Sequence, residues 1–91
     1  MHGRPAKDAG EARVVVYGAA GCSLCAPAVA VVRAVAAPLG LAVAVVAIDG
    51  DPDLERRYRE RIPVVEVDGR PVAKFHVDPG VLEARLRGLD R

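Results

Sequence analysis

Two cysteines three residues apart are the side chains of this sequence whose spacing most clearly permits chemistry. Cys22 and Cys25 enclose Ser23 and Leu24, and the chain of 91 residues contains no other cysteine. At the start of a helix, side chains with this spacing lie on the same side, about 5 to 6 Å apart between Cβ atoms. A small shift of the two Cβ atoms then brings them to the separation that a disulfide requires. The pair could therefore cycle between two thiols and a disulfide.

The two thiols are expected to have different roles in such an exchange reaction. The nucleophile is the thiolate, and a cysteine with an ordinary pKa of about 8.5 is only about 3% ionised at pH 7. Backbone N–H groups of the first helical turn could stabilise a thiolate, since no Lys, Arg or His lies within eight residues before Cys22. We predict that Cys22, at the exposed start of the helix, attacks the substrate. Cys25 would then resolve the mixed disulfide.

The sequence on either side of the cysteines predicts that they lie between a strand and a helix. Residues 13–17 form a β-branched run that is typical of a buried strand. Residues 24–37 are rich in alanine and predict a largely buried helix, although Pro27 makes its first turn uncertain. Residues 41–48 are continuously apolar and predict a second strand, parallel to the first and covered on both faces.

Two Asp-Pro pairs mark the starts of the remaining predicted helices. Asp51-Pro52 predicts a short amphipathic helix with Leu54 and Tyr58 on its apolar stripe. Asp78-Pro79 predicts the last helix. Its buried side is expected to contain Val81, Leu82, Leu86 and Leu89.

A hairpin is predicted between these two helices. Residues 62–67 and 70–75 are short apolar runs, and Asp68-Gly69 between them is a strong signal for a two-residue turn. The order of elements is thus β-α-β-α-β-β-α. It predicts an α/β fold in which a central four-stranded mixed sheet is flanked by three helices.

Composition and charge narrow the class of protein. Hydrophobic residues make up 52% of the chain and the net charge is +1, so we expect one domain over residues 13–91 that binds neither nucleic acid nor a membrane. Residues 1–12 are polar, lack the apolar core of a signal peptide, and are expected to form a disordered arm. The uncharged run of residues 34–48 is shorter than the roughly 20 residues of a membrane span. We therefore expect a cytoplasmic monomer.

A Cys-x-x-Cys pair between a strand and a helix of a β-α-β unit is the setting of a thioredoxin-like redox motif. Three segments of the sequence are similar to those of one known family: Tyr17 with Cys22-Ser23-Leu24-Cys25, residues 48–54 (Ile-Asp-Gly-Asp-Pro-Asp-Leu) and residues 57–64 (Arg-Tyr-Arg-Glu-Arg-Ile-Pro-Val). Through these segments the chain resembles the glutaredoxin-like branch of the thioredoxin superfamily, particularly its small bacterial domains.

The resemblance implies a thioredoxin-like fold and several substrate-binding residues. Pro63 would be a cis-proline that faces the cysteines, and Ile62 would offer its backbone to an extended substrate. Tyr17 would lie beside the thiolate. Arg57 is a further candidate for holding a carboxylate or phosphate, although its charged run is also typical of a solvated helix face. The substrate would be a disulfide-bearing protein or a small thiol.

Departures from the family pattern bear on the electron donor. Val16 stands where thioredoxins have an acidic residue, and Ala19 stands near the position of a lysine in glutathione-using glutaredoxins. Residues 73–76 (Ala-Lys-Phe-His) replace the Gly-Gly turn of those enzymes. The sequence therefore predicts no bound cofactor and argues against routine use of glutathione as co-substrate.

Two alternatives remain open at this point. A Cys-x-x-Cys pair before a helix can also hold Cu(I) or zinc, since thiolates suit soft ions, although no local zinc pattern is present. The domain could also be a redox-inert interaction module, because a fold does not by itself establish an activity.

Overall fold

The four apolar runs form a single mixed sheet in a computed structural model, which describes residues 12–88. The strands are β1 (Val14–Gly18), β2 (Val43–Ala47), β3 (Val64–Val67) and β4 (Arg70–Lys74), in the spatial order β2-β1-β3-β4. The helices in the described range are α1 (Cys25–Ala36), α2 (Pro52–Tyr58) and α3 (Pro79–Arg87), and a 3-10 turn (Ala37–Leu39) follows α1. The predicted element order and the α/β class are confirmed.

Strand β1 is central and pairs with a neighbour on each side. It runs parallel to β2 and antiparallel to β3, so that Tyr17 lies opposite both Val46 and Val64. Because successive side chains of a strand point to opposite faces, the sheet presents two apolar surfaces. Helices α1 and α3 pack on one surface and α2 packs on the other.

Aliphatic side chains fill both layers of the core. The layer under α1 and α3 contains buried Val14, Val16, Val32, Ala36, Val65, Val67, Leu82 and Leu86. The layer under α2 contains Val15, Ala44, Val46, Ile48, Tyr58 and Val64, with Leu54 and Tyr17 packed against them. Each fully buried Val, Leu or Ile side chain stabilises the fold by about 1.5 to 3 kcal/mol relative to an exposed one.

The prediction that the second strand is covered on both faces is wrong. In β2 only Ala44 and Val46 are buried, and Val45 on the opposite face is 47% exposed. The physical reason is the strand order, which puts β2 at an edge of the sheet. Its residues on the α1 side therefore lie at the border of that layer.

Proline and aspartate define the helix starts without distorting them. Pro27 is the third residue of α1, where its missing N–H needs no partner in the helix, and the next amide, Ala28, donates to Leu24 at 3.2 Å. The Asp51 carboxylate accepts from the amides of Asp53 and Leu54 at 3.1 Å each, and so caps α2.

The buried side of α3 is narrower than predicted. Leu82 and Leu86, one helical turn apart, are buried, whereas Val81 is 65% exposed. The prediction for Val81 is wrong because adjacent helical residues point about 100° apart, and only one of the two can face α1 and the sheet. Leu89 lies outside the described residues.

The hairpin turn and the start of β1 are joined at one end of the sheet. Asp68 and Gly69 have φ values of 51° and 82°, as the predicted two-residue turn requires. The Arg13 guanidinium donates to both carboxylate oxygens of Asp68 at 2.9 Å. This contact holds the pKa of Asp68 below its ordinary value.

The predicted arm, residues 1–12, lies outside the described range except for Ala12, which packs against the α2 layer. Among the helices of residues 12–88, none has the length and apolar character needed to cross a bilayer.

A buried polar pair interrupts the otherwise aliphatic layer under α2. Glu66 is only 7% exposed and Tyr58 only 4% exposed, and the Tyr58 hydroxyl donates to the Glu66 carboxylate. A buried carboxylate without a partner would be costly, so this hydrogen bond allows an acid to lie within the sheet. Burial, followed by the hydrogen bond to Glu66 and the charge of Glu66, raises the pKa of Tyr58 to about 12.

We predict that Tyr58 makes stability fall at alkaline pH. Its folded-state pKa of about 12 exceeds the ordinary value of about 10, so its stabilising contribution is complete below pH 10 and is lost between pH 10 and 12. Tyr58→Phe should lower the free energy of unfolding at neutral pH by about 1 to 3 kcal/mol, since Glu66 loses the hydrogen bond from the Tyr58 hydroxyl. The same variant should also show a smaller loss between pH 10 and 12.

Denaturant unfolding at a series of pH values measures both effects, with Tyr17→Phe as the matched variant. The chain has two tyrosines, so phenolate absorbance of the Tyr17→Phe protein follows Tyr58 alone. A phenolate midpoint near pH 10 in the folded protein would contradict the prediction.

Candidate functional site

A disulfide between Cys22 and Cys25 occupies the junction of β1 and α1. Strand β1 ends at Gly18, a short loop follows, and α1 begins at Cys25. The two sulfur atoms are at bonding distance and the Cα atoms are 5.4 Å apart. Both cysteines are half-buried. The spacing in the sequence thus does allow an intramolecular disulfide at the junction where it was expected.

The backbone of the loop sets the direction of the two cysteines. The Cys22 amide donates to the Ala19 carbonyl, and the Cys25 amide donates to the Cys22 carbonyl, each at 3.3 Å. Gly21 has a φ of 79°, a conformation that side chains other than glycine rarely adopt. The chain therefore turns tightly before the first helical residue.

Asp49, which follows β2, supports this loop, a role that was not predicted from the sequence. Its carboxylate accepts from the Ala20 amide at 3.0 Å. Strands β1 and β2 are parallel, so their carboxyl ends meet at one edge of the sheet. An acidic residue directly after the second predicted strand was the available signal.

Gly18 is the part of β1 that contacts the disulfide. A Cβ atom built at this position would lie 2.8 Å from the Cys25 Sγ and 3.4 Å from the Cys25 Cβ. Real Cβ atoms do not approach that closely, so the absence of a side chain makes room for the sulfur. Cys25 is consequently the inner cysteine, packed against the end of the sheet.

The Ile62–Pro63 peptide bond is cis and lies at the same end of the sheet as the cysteine loop. Tyr17 pairs with Val64 in antiparallel register, so Gly18 and Pro63 are next to one another along the continuing strands. Pro63 is fully buried, and its carbonyl accepts from the Phe75 amide at 2.9 Å. Ile62 is half-buried and packs on the same cluster as Ala19 of the cysteine loop.

The two other predicted site residues meet at Tyr58. The ring centroids of Tyr17 and Tyr58 are 4.9 Å apart. The Arg57 guanidinium lies 5.1 Å from the centroid of the Tyr58 ring and donates to its hydroxyl at 3.3 Å. Burial, followed by the charge of Glu66, raises the pKa of Tyr17. Both tyrosines are therefore neutral at physiological pH.

A metal centre with three or more protein ligands has no candidate within residues 12–88. No group of three His, Cys, Asp or Glu side chains in this range has a suitable arrangement. The cysteine pair, with Gly18 and Pro63 beside it, is therefore the best-defined candidate site of the described chain.

The cysteine loop and the cis-proline lie in a fold shared with thioredoxins of known structure. A mutant thioredoxin from Halobacterium salinarum NRC-1 is similar over 97% of this chain and 84% of its own, with a TM-score of 0.63. The two sequences are 23% identical, so this likeness concerns the fold alone. The predicted thioredoxin-like fold is confirmed.

Two further solved structures are more similar in sequence. Protein Ne2328 from Nitrosomonas europaea is 32% identical, with a TM-score of 0.69, over 81% of this chain and 89% of its own. The X-ray structure of protein XcR50 from X. campestris is 33% identical, with a TM-score of 0.67, over 82% of this chain and 96% of its own. No curated protein matches the sequence.

The family comparison covers nearly the whole described range. The model of the glutaredoxin-like domain (DUF836) matches residues 13–87, from the start of β1 to the end of α3. The matched range includes the disulfide and the cis-proline. This chain therefore belongs to the glutaredoxin-like domain family.

Proposed function

We propose that this protein is a thiol-disulfide oxidoreductase that works through Cys22 and Cys25. The observation that carries the proposal is the disulfide at the strand-to-helix junction, which Gly18 accommodates and Pro63 adjoins. Both cysteines are half-buried, so part of the pair remains accessible to a substrate. A disulfide with a purely structural role could lie within the core and would not need to be at the strand-to-helix junction.

The proposed reaction passes two electrons from the cysteine pair to a substrate disulfide. The Cys22 thiolate attacks one substrate sulfur, the substrate S–S bond breaks, and the departing thiolate takes up a proton. The Cys25 thiolate then attacks the Cys22 sulfur. This second step forms the Cys22–Cys25 bond and releases the other substrate thiol. An external dithiol, or two molecules of a small thiol, must reduce the pair again.

The two cysteines differ in ways that support this order of steps. Cys25 is the first residue of α1 and its sulfur lies against Gly18, whereas Cys22 lies in the loop before the helix. An incoming sulfur must approach along the axis of the bond that it breaks, which the inner position of Cys25 hinders. We infer that Cys22 is the attacking thiol and Cys25 the resolving thiol.

The proposal also includes the location, the oligomeric state and the substrate of the protein. We propose a cytoplasmic monomer without a bound cofactor, whose substrate is a disulfide-bearing protein or a small thiol. Ile62, Pro63, Tyr17 and Arg57 are the proposed substrate-binding residues. Ile62 and Pro63 adjoin the cysteine loop, whereas Tyr17 and Arg57 would act from the α2 side through their contacts with Tyr58.

We predict that Cys25→Ser stops the reaction at the mixed disulfide. After reduction, this variant should release one pyridinethione per molecule from dipyridyl disulfide and retain the other on Cys22, because no second thiol remains to displace it. The unaltered protein should release two. Absorbance of pyridinethione and the mass of the adduct measure the outcome.

Cys22→Ser is the matched control for this experiment. It retains only the inner thiol and should react several-fold more slowly. Equal rates for the two variants would contradict the assigned roles. An unaltered protein that releases no pyridinethione would contradict the proposed function itself.

We also predict that Gly18→Ala makes the disulfide easier to reduce. The new methyl group would collide with the Cys25 Sγ, which the disulfide holds in place but which can rotate away as a free thiol. An overpacking cost of about 1 to 3 kcal/mol in the oxidised form would shift the reduction potential by roughly 20 to 60 mV toward positive values. Titration in dithiothreitol buffers measures the shift.

Gly88→Ala is the matched substitution, because Gly88 has an ordinary helical backbone and no atom of residues 12–88 lies within 4 Å of a Cβ built there. It should leave the potential unchanged. A Gly18→Ala protein with an unchanged or more negative potential would show that the contact does not act on the redox pair.

A further inference from the structure

A groove runs along β4 and reaches the residues on either side of the Ile62–Pro63 cis bond. It has a volume of about 360 Å³ and is lined by Tyr58, Arg61, Val64, Pro71 and Lys74, together with Val72 and Ala73. Cavities of this size are large enough for one or two side chains of a ligand. We propose that this groove binds an acidic segment that flanks the cysteine of a disulfide-bearing protein substrate. The inference rests on the proposed oxidoreductase function.

The shape of the groove follows from the sheet. Lys74 lies opposite Val64 and Pro71 lies opposite Glu66, so all four side chains are on the α2 face. Helix α2 covers β1, β2 and Val64 through Leu54 and Tyr58. Strand β4 is the edge strand beyond them. Its α2 face is therefore open to a ligand.

The charge of the groove favours an acidic ligand. Arg61 and Lys74 are exposed, and neither forms an ion pair with any residue in the range 12–88. Lys74 does lie 5.7 Å from the centroid of the Phe75 ring, a contact that leaves its ammonium in solvent. By contrast, Arg56, Arg59 and Arg87 each bind a carboxylate three or four residues earlier in the chain. Two cations that have no acidic partner among residues 12–88 thus face the same groove.

The buried acid under the groove does not cancel this charge at the surface. Glu66 lies opposite Pro71 but is only 7% exposed, and its carboxylate accepts from the Tyr58 hydroxyl. The Arg57 guanidinium also contacts that hydroxyl. A carboxylate that enters the groove would therefore meet the Arg61 and Lys74 side chains, with apolar walls from Val64 and Pro71.

The groove adjoins the proposed substrate-binding residues Ile62 and Pro63, because Arg61 and Val64 on either side of them line it. Arg61 immediately precedes Ile62, the residue proposed to pair with the substrate backbone, and Lys74 is opposite the residue that follows Pro63. An extended chain covers about 3.3 Å per residue. Acidic residues within about four positions of the substrate cysteine can therefore reach the groove while that cysteine reacts with Cys22.

The test compares peptides that differ only in charge. Each peptide carries one cysteine as a mixed disulfide with pyridinethione and has Glu, Gln or Lys at the flanking positions. Each rate with the reduced protein is divided by the rate with mercaptoethanol, which removes the effect of flanking charge on the peptide disulfide itself. The unaltered protein should react fastest with the Glu peptide and slowest with the Lys peptide.

Variants of Arg61 and Lys74 test whether the groove causes this preference. Arg61→Gln and Lys74→Gln should each reduce the Glu-over-Gln preference by roughly two- to fivefold. A double variant with Arg61→Glu and Lys74→Glu should react faster with the Lys peptide than with the Glu peptide. Arg33→Gln removes one positive charge from the exposed face of α1, without an ion pair in the described chain, and should leave the preference intact.

The outcomes distinguish a failure of the groove proposal from a failure of the oxidoreductase function on which it rests. Free dipyridyl disulfide is neutral and reports the cysteine pair alone, so failure to react with it would overturn the oxidoreductase function. Normal reaction with it but equal rates for the three peptides would overturn only the groove. The groove proposal also fails if Arg33→Gln acts as strongly as Arg61→Gln. A mixed disulfide of glutathione provides a small acidic thiol, and an effect confined to it would overturn the proposed protein substrate.

Discussion

The pairing of β1 with a strand on each side is the constraint on which the site depends. Parallel pairing with β2 brings Asp49 to the cysteine loop, and antiparallel pairing with β3 brings Pro63 level with Gly18. The cysteine loop continues directly from β1. One register therefore fixes the disulfide, its supporting carboxylate and the cis-proline at a single edge of the sheet. A slip of one residue would also turn the apolar side chains of β1 to the wrong faces.

The core that maintains this register has two different layers. The layer under α1 and α3 is purely aliphatic around Val16 and Leu82. The layer under α2 includes the Tyr58–Glu66 hydrogen bond, which the second tyrosine and Arg57 surround. Hydrogen bonds have directional geometry, whereas aliphatic contacts do not. The polar pair thus fixes the position of α2 over the sheet, and with it the border of the β4 groove.

Much of this architecture could be predicted from local signals. The β-branched run before Cys22, the Asp51 cap and the Asp68-Gly69 turn each depend on neighbouring residues, and each has its predicted structure. The resemblance supplied the cis bond before Pro63, since the sequence alone favours trans. The position of the cysteine pair followed from the same local pattern.

What could not be predicted depends on contacts between distant segments. The exposed face of β2 follows from the strand order, and the choice of Leu82 over Val81 follows from how α3 meets α1. The partners of Tyr58 and Asp49 lie on other strands or loops. No local pattern distinguishes an exposed acid from one that is paired across the sheet. The substrate-binding roles of Tyr17, Arg57, Ile62 and Pro63 remain predictions.

The contact between Arg13 and Asp68 has a practical consequence for attaching the protein to other molecules. This contact joins the start of β1 to the tip of the hairpin, at the end of the sheet opposite Gly18 and the disulfide. The chain before β1 is therefore connected to the domain far from the cysteines. A fluorophore or a solid support linked just before β1 would be attached at the end of the domain opposite the disulfide.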